Sequence, residues 1–246
     1  MPFVETAESR LYFEAHGSGF PILLLAPGGM RSSIEVWQRA PWHPVRELSQ
    51  SFRVIAMDQR NAGRSRAPVT AADGWHSYAA DQLALLDHLG ITRCHLIGGC
   101  IGGAFCLRLM QAAPERVASA VLQQPIGYSP DNRGVFYELF DSWAEQLPSE
   151  AASAADPAAL AAFRERMYGG EFVFSVGRDF VRSCHSPMLV LMGNDIYHPS
   201  AISREITSLA PHAELVERWK EPDAVAKAVQ RVREFLTAHT PSGHQA

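Results

Sequence analysis

Short, continuously apolar runs at residues 21–26, 52–57, 94–97, 117–122 and 186–192 recur along the chain, with the pattern of strands covered on both faces. Between and after them, apolar positions fall at helical spacing at residues 78–89, 103–112, 200–209 and 223–238, and a further strand reads at 213–219. Ser77 stands as a candidate N-cap and Gly90 as a stop for the helix at 78–89. Strand and helix alternating through short connections predicts an α/β fold, a mostly parallel sheet with helices on both faces. Residues 3–15 alternate loosely before the turn His16-Gly17-Ser18-Gly19, so an antiparallel hairpin leads into that sheet. Residues 34–50 are helical but interrupted by Pro41 and Pro44, which predicts two short helices with Trp42 and His43 at the bend.

The alternation stops at 125–182. Residues 131–147 are rich in aromatics, 150–162 are mostly alanine, and Phe172-Val173-Phe174 follows no assignable pattern. The division expected is therefore a core from 1–124 and 183–246 with an insertion at 125–182. The tail from Thr240 reads as disordered.

One stretch carries chemistry. Leu96-Ile97-Gly98-Gly99-Cys100-Ile101-Gly102-Gly103-Ala104-Phe105 runs from an apolar strand straight into an apolar helix. Gly98 and Gly102, two residues either side of Cys100, leave room for the chain to fold back on itself, so Cys100 sits on a strained bend with its side chain lifted clear of the sheet. The bend also sets Cys100 at the N-terminal end of the following helix. There, free N–H groups and the helix dipole favour a thiolate.

This stretch resembles the nucleophile elbow of the α/β-hydrolase superfamily, small-x-nucleophile-x-small, with Cys100 where Ser is usual. Dienelactone hydrolases and polyhydroxyalkanoate synthases are members that also use Cys. The resemblance implies an α/β-hydrolase fold with a short helical cap at 125–182 roofing the site. It puts one oxyanion donor in Pro27-Gly28-Gly29-Met30, on Gly29 or Met30, and the second on the N–H of Ile101. It puts the triad carboxylate on Asp195, at the end of the strand at 186–192. The segment from Asp58 to Ser65 is similar to a buttressing loop of the family, and Asn61 replaces a glycine there, as suits a position of positive φ. Met30, His76, Phe136 and Trp143 are the candidates to line a substrate site, beside Tyr137, Phe140 and Phe172.

The match fails at the triad histidine, which the family carries just after its last strand. Here Glu214-Leu215-Val216-Glu217-Arg218-Trp219 runs into Lys220-Glu221-Pro222-Asp223 without one. Catalytic groups in an open parallel sheet gather beyond the carboxyl ends of its strands. That rule sets aside His95, His185 and His212, which precede strands, His88, which ends a helix at the same edge, and the terminal His239 and His244. His198, three residues after Asp195, and His76 survive, with His43 a weaker third. His198 is favoured as the base because its loop already carries the acid. Lys220 occupies roughly the vacant position and is the remaining candidate to replace the histidine or pair with Asp195.

Composition narrows the function. The 246 residues are 47% hydrophobic and 20% charged, enough for one large core in a globular protein. A net charge of −4 supplies no basic field for nucleic acid or an anionic membrane, which leaves a small molecule as the expected partner; a homodimer is compatible with this. No apolar run approaches a membrane span and the N-terminus lacks a signal pattern, so a cytoplasmic location is expected. Cys94, Cys100, Cys106 and Cys184 show no zinc-type spacing, and neither metal nor cofactor is called for. The expected activity is hydrolysis of a small ester, thioester, lactone or related acyl compound through an acyl-enzyme on Cys100. The alternatives are an acyltransferase of the same fold and a non-catalytic small-molecule-binding protein that lost the triad histidine.

Overall fold

The computed structural model describes residues 2–147 and 156–243. Eight strands form one sheet: β1 (Phe3–Glu5), β2 (Arg10–His16), β3 (Pro21–Leu25), β4 (Arg53–Met57), β5 (Cys94–Gly99), β6 (Val117–Gln123), β7 (Met188–Leu191) and β8 (Ala213–Val216). Their order across the sheet is β1-β2-β4-β3-β5-β6-β7-β8. β1 and β2 form the antiparallel hairpin, β2 joins β4 antiparallel, and every later pair is parallel.

The continuous apolar runs divide by alternation between two cores. Leu23, Leu25, Leu96, Leu122 and Val190 face one side, which α2 (Trp75–His88) and α3 (Ile101–Ala112) cover. Ile22, Leu24, Ile97, Val121 and Leu189 face the other side. There Val229, Val232, Phe235 and Leu236, one stripe of the C-terminal helix Val225–Ala238, pack with Trp37 and Trp219.

Several element ends differ from expectation. α2 starts at Trp75 instead of residue 78: Gly74 occupies the cap, and Ser77, inside the first turn, accepts the Gly74 N–H at 3.3 Å. β5 runs on to Gly99 and α3 begins at Ile101, so the bend between them is Cys100 alone. β8 ends at Val216, which leaves Trp219 to seal the core from a loop, its Nε1 donating to Met192 O at 2.8 Å. The two short helices around Pro41 are the 3₁₀ turn Ile34–Arg39 and α1 (Pro44–Leu48). Thr240, expected in a disordered tail, is 8% exposed and its hydroxyl meets Leu236 O and His95 Nε2, each at 3.0 Å.

Among the described residues between β6 and β7 are the helices α4 (Arg133–Ala144), α5 (Pro157–Tyr168) and α6 (Arg178–Ser183). Residues 148–155, part of the alanine-rich stretch, lie outside the described residues. α4 and α5 interlock through Phe140, Trp143 and Phe163, whose rings meet edge to face. They are tied to the loops at the carboxyl edge of the sheet. Arg31 reaches Ser142 O at 2.7 Å, Trp143 Nε1 donates to Asn61 O at 3.1 Å, and Trp75 Nε1 donates to Met167 O at 3.0 Å. Phe172, Val173 and Phe174, which fitted no periodicity, are buried, and both phenylalanines hold positive φ, 57° and 63°. They pack from an irregular segment, Phe174 meeting the rings of Phe136 and Tyr168 edge to face, so no period in the sequence marks them. Among the described residues, no helix is long and apolar enough to cross a membrane.

Candidate active site

Cys100 links β5 to α3 with φ 56° and ψ −118°, a conformation that costs a non-glycine residue about 1–3 kcal/mol and persists only where its surroundings impose it. Those surroundings are close-packed backbone. A Cβ on Gly98 would lie 2.1 Å from Gly102 O, and one on Gly102 would lie 1.9 Å from Leu25 O. The bend is pinned further by the Cys100 N–H, which donates to Gln123 O at 2.9 Å, and by Cys100 O, which accepts from Gly103 N at 3.0 Å.

The loop after β7 brings the other two groups. Gly193 lets it turn sharply, since a Cβ there would sit 2.4 Å from the His198 Cβ. Asp195 Oδ1 accepts the N–H groups of Tyr197 and His198, both at 3.0 Å, closing a tight turn, and Nδ1 of His198 lies 2.7 Å from the same oxygen. The Cys100 thiol is coupled electrostatically to the same imidazole. Neither ring nitrogen makes an aligned hydrogen bond, which leaves alignment to be gained when a substrate enters. Asp195, His198 and Cys100 therefore form one coupled set, and Lys220 is outside it: its Nζ donates to Gln124 Oε1 at 3.2 Å.

Burial opposes charge on both partners, raising the thiol pKa and lowering that of the imidazole, yet their mutual attraction outweighs it. Cys100 is held below the usual thiol value by His198 and by the backbone N–H groups of Gly28 and Ile101. His198 is held above the usual imidazole value by Cys100 and Asp195. Asp195, despite partial burial, is pulled below the usual carboxylate value by His198 and by the backbone N–H groups of His198 and Tyr197. The other cysteines go the opposite way. Burial pushes Cys94 up to about 12, Cys106 well above the ordinary thiol value and Cys184 upward.

The backbone N–H groups coupled to the sulfur are those of Ile101 and Gly28, the latter beside the Gly29 and Met30 expected to carry the first oxyanion donor. Gly29, at φ 59°, already begins the 3₁₀ turn Gly29–Arg31 that carries the chain away. His76 is exposed and turns outward from α2, a step around the helix from the inward Trp75, into a surface cavity of about 710 Å³ shared with Thr6, Arg60, Asp73 and Asp81. His43 lies with Trp42, Arg46 and Val225 in another depression, and His95 is buried between Ser119 and Thr240.

Met30 is buried, its Sδ 4.0 Å from the Tyr78 hydroxyl. Phe136 stacks on Tyr168, centroids 5.2 Å apart, and Tyr168 is coupled electrostatically to Cys100. Trp143 borders a cavity of about 430 Å³ that opens beside Gly28. The Asp58–Ser65 segment is structural: Asp58 accepts the N–H groups of Ile34 and Arg64, both at 2.8 Å, while buried Arg60 is paired with Asp73 and Asp81. Asn61 holds φ 56°. Among the described residues no group of His, Cys, Asp and Glu is arranged to hold a metal.

The chain is similar to curated proteins of bacterial origin. It is 38% identical over 112 residues to a RutD-type protein of Variovorax paradoxus, whose name gives carbamate hydrolysis as a provisional activity, covering 46% of this chain and 41% of that one. It is 36% identical over 117 residues to a 2-hydroxymuconate semialdehyde hydrolase of Pseudomonas, covering 46% and 39%. The matched part thus spans about two fifths of those relatives' length. Across nearly the whole chain, the fold superposes on a variant of the meta-cleavage product hydrolase CumD of Pseudomonas fluorescens, with a TM-score of 0.70, 20% identity and coverage of 96% and 97%. Residues 21–167, which include the elbow and the loop before it, match the family model described as alpha/beta hydrolase fold; the chain belongs to the α/β-hydrolase fold family.

Proposed function

We propose that the protein hydrolyses a small ester, thioester, lactone or related acyl compound through Cys100. The observation that carries this reading is geometric: Cys100 stands strained at φ 56° where β5 meets α3, and His198, 2.7 Å from Asp195, is coupled to it, the thiol pKa drawn down and the imidazole pKa drawn up, which favours the thiolate. The hydrolase names of the sequence relatives support the same reaction class.

In this reading the thiolate attacks the substrate carbonyl, the C–S bond forms, and the carbonyl electron pair moves onto oxygen. The N–H groups of Gly28 and Ile101, which face the sulfur, hold that oxyanion where charge develops. As the intermediate collapses, the leaving oxygen, sulfur or nitrogen takes the proton of the His198 imidazolium and a thioester remains on Cys100. The imidazole, now neutral and oriented by Asp195, takes a proton from water, whose oxygen attacks the thioester. Departure of the acid restores the thiolate and leaves the proton on His198. The described residues of 125–182 act as the cap of this site, with Phe136 and Trp143 shaping its roof. The acid and base share one loop after β7, so no histidine is needed after β8.

The test is to mix the protein with a panel of small esters, thioesters and lactones and to look by mass spectrometry for acyl adducts on Cys100. An adduct that forms and decays, and is absent in Cys100→Ala, supports the reading. Ligands that bind and raise the melting temperature without ever acylating Cys100 would replace it with a receptor.

A further inference from the structure

We propose that Asn132 is a positioning residue: its side-chain amide holds the loop that carries Asp195 and His198, and through that loop sets the Cys100–His198 pair. The inference rests on the hydrolase reading above. Asn132 is fully buried, and all its polar atoms are engaged. Nδ2 donates to Ile196 O at 2.9 Å and to Gly127 O at 2.8 Å, while Oδ1 accepts the Ser129 N–H at 2.8 Å. One side chain therefore ties the segment leaving β6 to the middle of the Asp195–His198 loop.

Two features mark this as more than loop stitching. Asn132 is the N-cap residue of α4, a position where Asn ordinarily accepts an N–H from its own helix, yet its side chain makes no such bond. It is turned instead to the loop across the site. The loop, in turn, is not held by burying its apex. Ile196 is 47% exposed and Tyr197 36%, so burial restrains the apex little; Tyr197 meets the Phe136 ring of α4 edge to face, centroids 6.3 Å apart, and the Ile196 carbonyl is the group Asn132 grips. Other hydrogen bonds lie at the loop's start, where Gly193 N–H donates to Ser203 Oγ at 3.1 Å, and within its own turn at Asp195.

Position matters unusually here because the acid and base are not carried by separate loops. A shift of the apex moves Asp195 and His198 together relative to Cys100, which is fixed by the elbow. The inner geometry of the Asp195 turn survives such a shift; the sulfur–imidazole contact does not. The other titratable groups coupled to the pair are Asp195, on the same loop, and Tyr168 of α5.

The experiment compares wild type with Asn132→Leu, which keeps the volume and removes the amide. Cys100 alkylation by iodoacetamide is followed against pH, together with kcat and KM on an ester that acylates the wild type. The expected result is a thiol titration midpoint raised by about one pH unit and a kcat lowered on the order of 100-fold, the scale of a misplacement of about 1 Å, with KM nearly unchanged. A folded variant of lower melting temperature whose titration midpoint matches wild type would overturn the proposal, leaving Asn132 a structural residue only. Should Asn132→Leu not fold, Asn132→Ser, which retains one hydroxyl donor, gives the same reading with a smaller expected shift. A wild-type thiol with an ordinary midpoint would instead sink the hydrolase reading, which separates the two failures.

Discussion

Asp195 Oδ1 and His198 Nδ1 lie 2.7 Å apart with only Ile196 and Tyr197 between them in the chain, so the acid and the base of the proposed site belong to one turn of one loop. Orientation of the imidazole is thereby built into a local structure, with the backbone N–H groups of Tyr197 and His198 fixing the same carboxylate oxygen. Removing either partner should be felt strongly at Cys100. His198→Ala and Asp195→Asn are each expected to lower single-turnover acylation by at least about 100-fold with ligand affinity little changed. Rapid-quench measurement of acyl-enzyme formation reads this directly, and wild-type rates in His198→Ala would remove the histidine from the mechanism.

The pH dependence follows from the signs of the shifts. Cys100 has its pKa lowered from 9.0 and His198 has its raised from 6.5, because each charged form favours the other, so the fraction carrying both charges is larger than two independent groups would give. Acylation should be bell-shaped in pH, rising as the thiol ionises and falling as the imidazolium loses its proton, with the two macroscopic midpoints belonging to the pair. Iodoacetamide alkylation, which needs only the thiolate, should rise at the first midpoint and hold. Cys94, pushed to about 12, should stay unlabelled across the same range in folded protein. The same signs govern stability. The depressed thiol contributes stability above its unfolded pKa that is lost as pH falls through its folded value. The raised imidazole contributes stability below 6.5 that is lost as pH rises through its folded value. Mass-spectrometric mapping of the labelled cysteines across pH checks the order; equal labelling of Cys94 and Cys100 would contradict it.

Lys220 occupies the place after β8 where a histidine was sought, but its ammonium meets Gln124. Lys220→Ala should therefore leave the Cys100 alkylation profile and the acylation rate within about twofold of wild type, since the lost contact is a half-exposed hydrogen bond of roughly 1 kcal/mol. A large rise in the thiol midpoint in this variant would show that the lysine, not His198, stabilises the thiolate.

The fold was legible because its signals are local and agree with one another. Apolar runs of strand length alternate with helical spacing, and Gly98-x-Cys100-x-Gly102 can be satisfied in few ways once backbone must pass within contact of backbone. The proposed base, His198, was selected only by sorting histidines to the two sheet edges, a rule coarse enough to retain His76 as well. What separates the two is side-chain direction: His76 is one position after inward-facing Trp75 on α2, and the helix begins at Trp75, earlier than Ser77 suggested. The coupling of the Gly28 N–H to the sulfur could not be read, because two adjacent glycines look alike in sequence and only the backbone path into the 3₁₀ turn at Gly29 tells them apart. Asn132 gave no signal at all. Its contact with Ile196 spans 64 residues, and nothing periodic connects them.

Two glycines, Gly98 in the elbow and Gly29 in the loop after β3, are constrained for different reasons and should respond differently to substitution. At Gly98 the conformation is ordinary but the space is not: a Cβ would meet Gly102 O at 2.1 Å, Gly102 C at 2.2 Å and Gly103 N at 2.6 Å, all backbone atoms of the bend and the first turn of α3. None can move without opening the turn that holds Cys100 at φ 56°. At Gly29 the space is free, with nothing within 4 Å of the added atom, but φ is 59°. Gly29→Ala should therefore cost only the left-handed backbone penalty, about 1–2 kcal/mol, and leave Cys100 alkylation nearly intact. Gly98→Ala should cost more than about 4 kcal/mol, or prevent folding, because overlap in a packed core has no cheap relaxation. Chemical denaturation of both variants, with Cys100 alkylation measured on whatever remains folded, separates the two causes. A Gly98→Ala protein as stable and as reactive as wild type would mean that the bend is looser than the backbone contacts across it require.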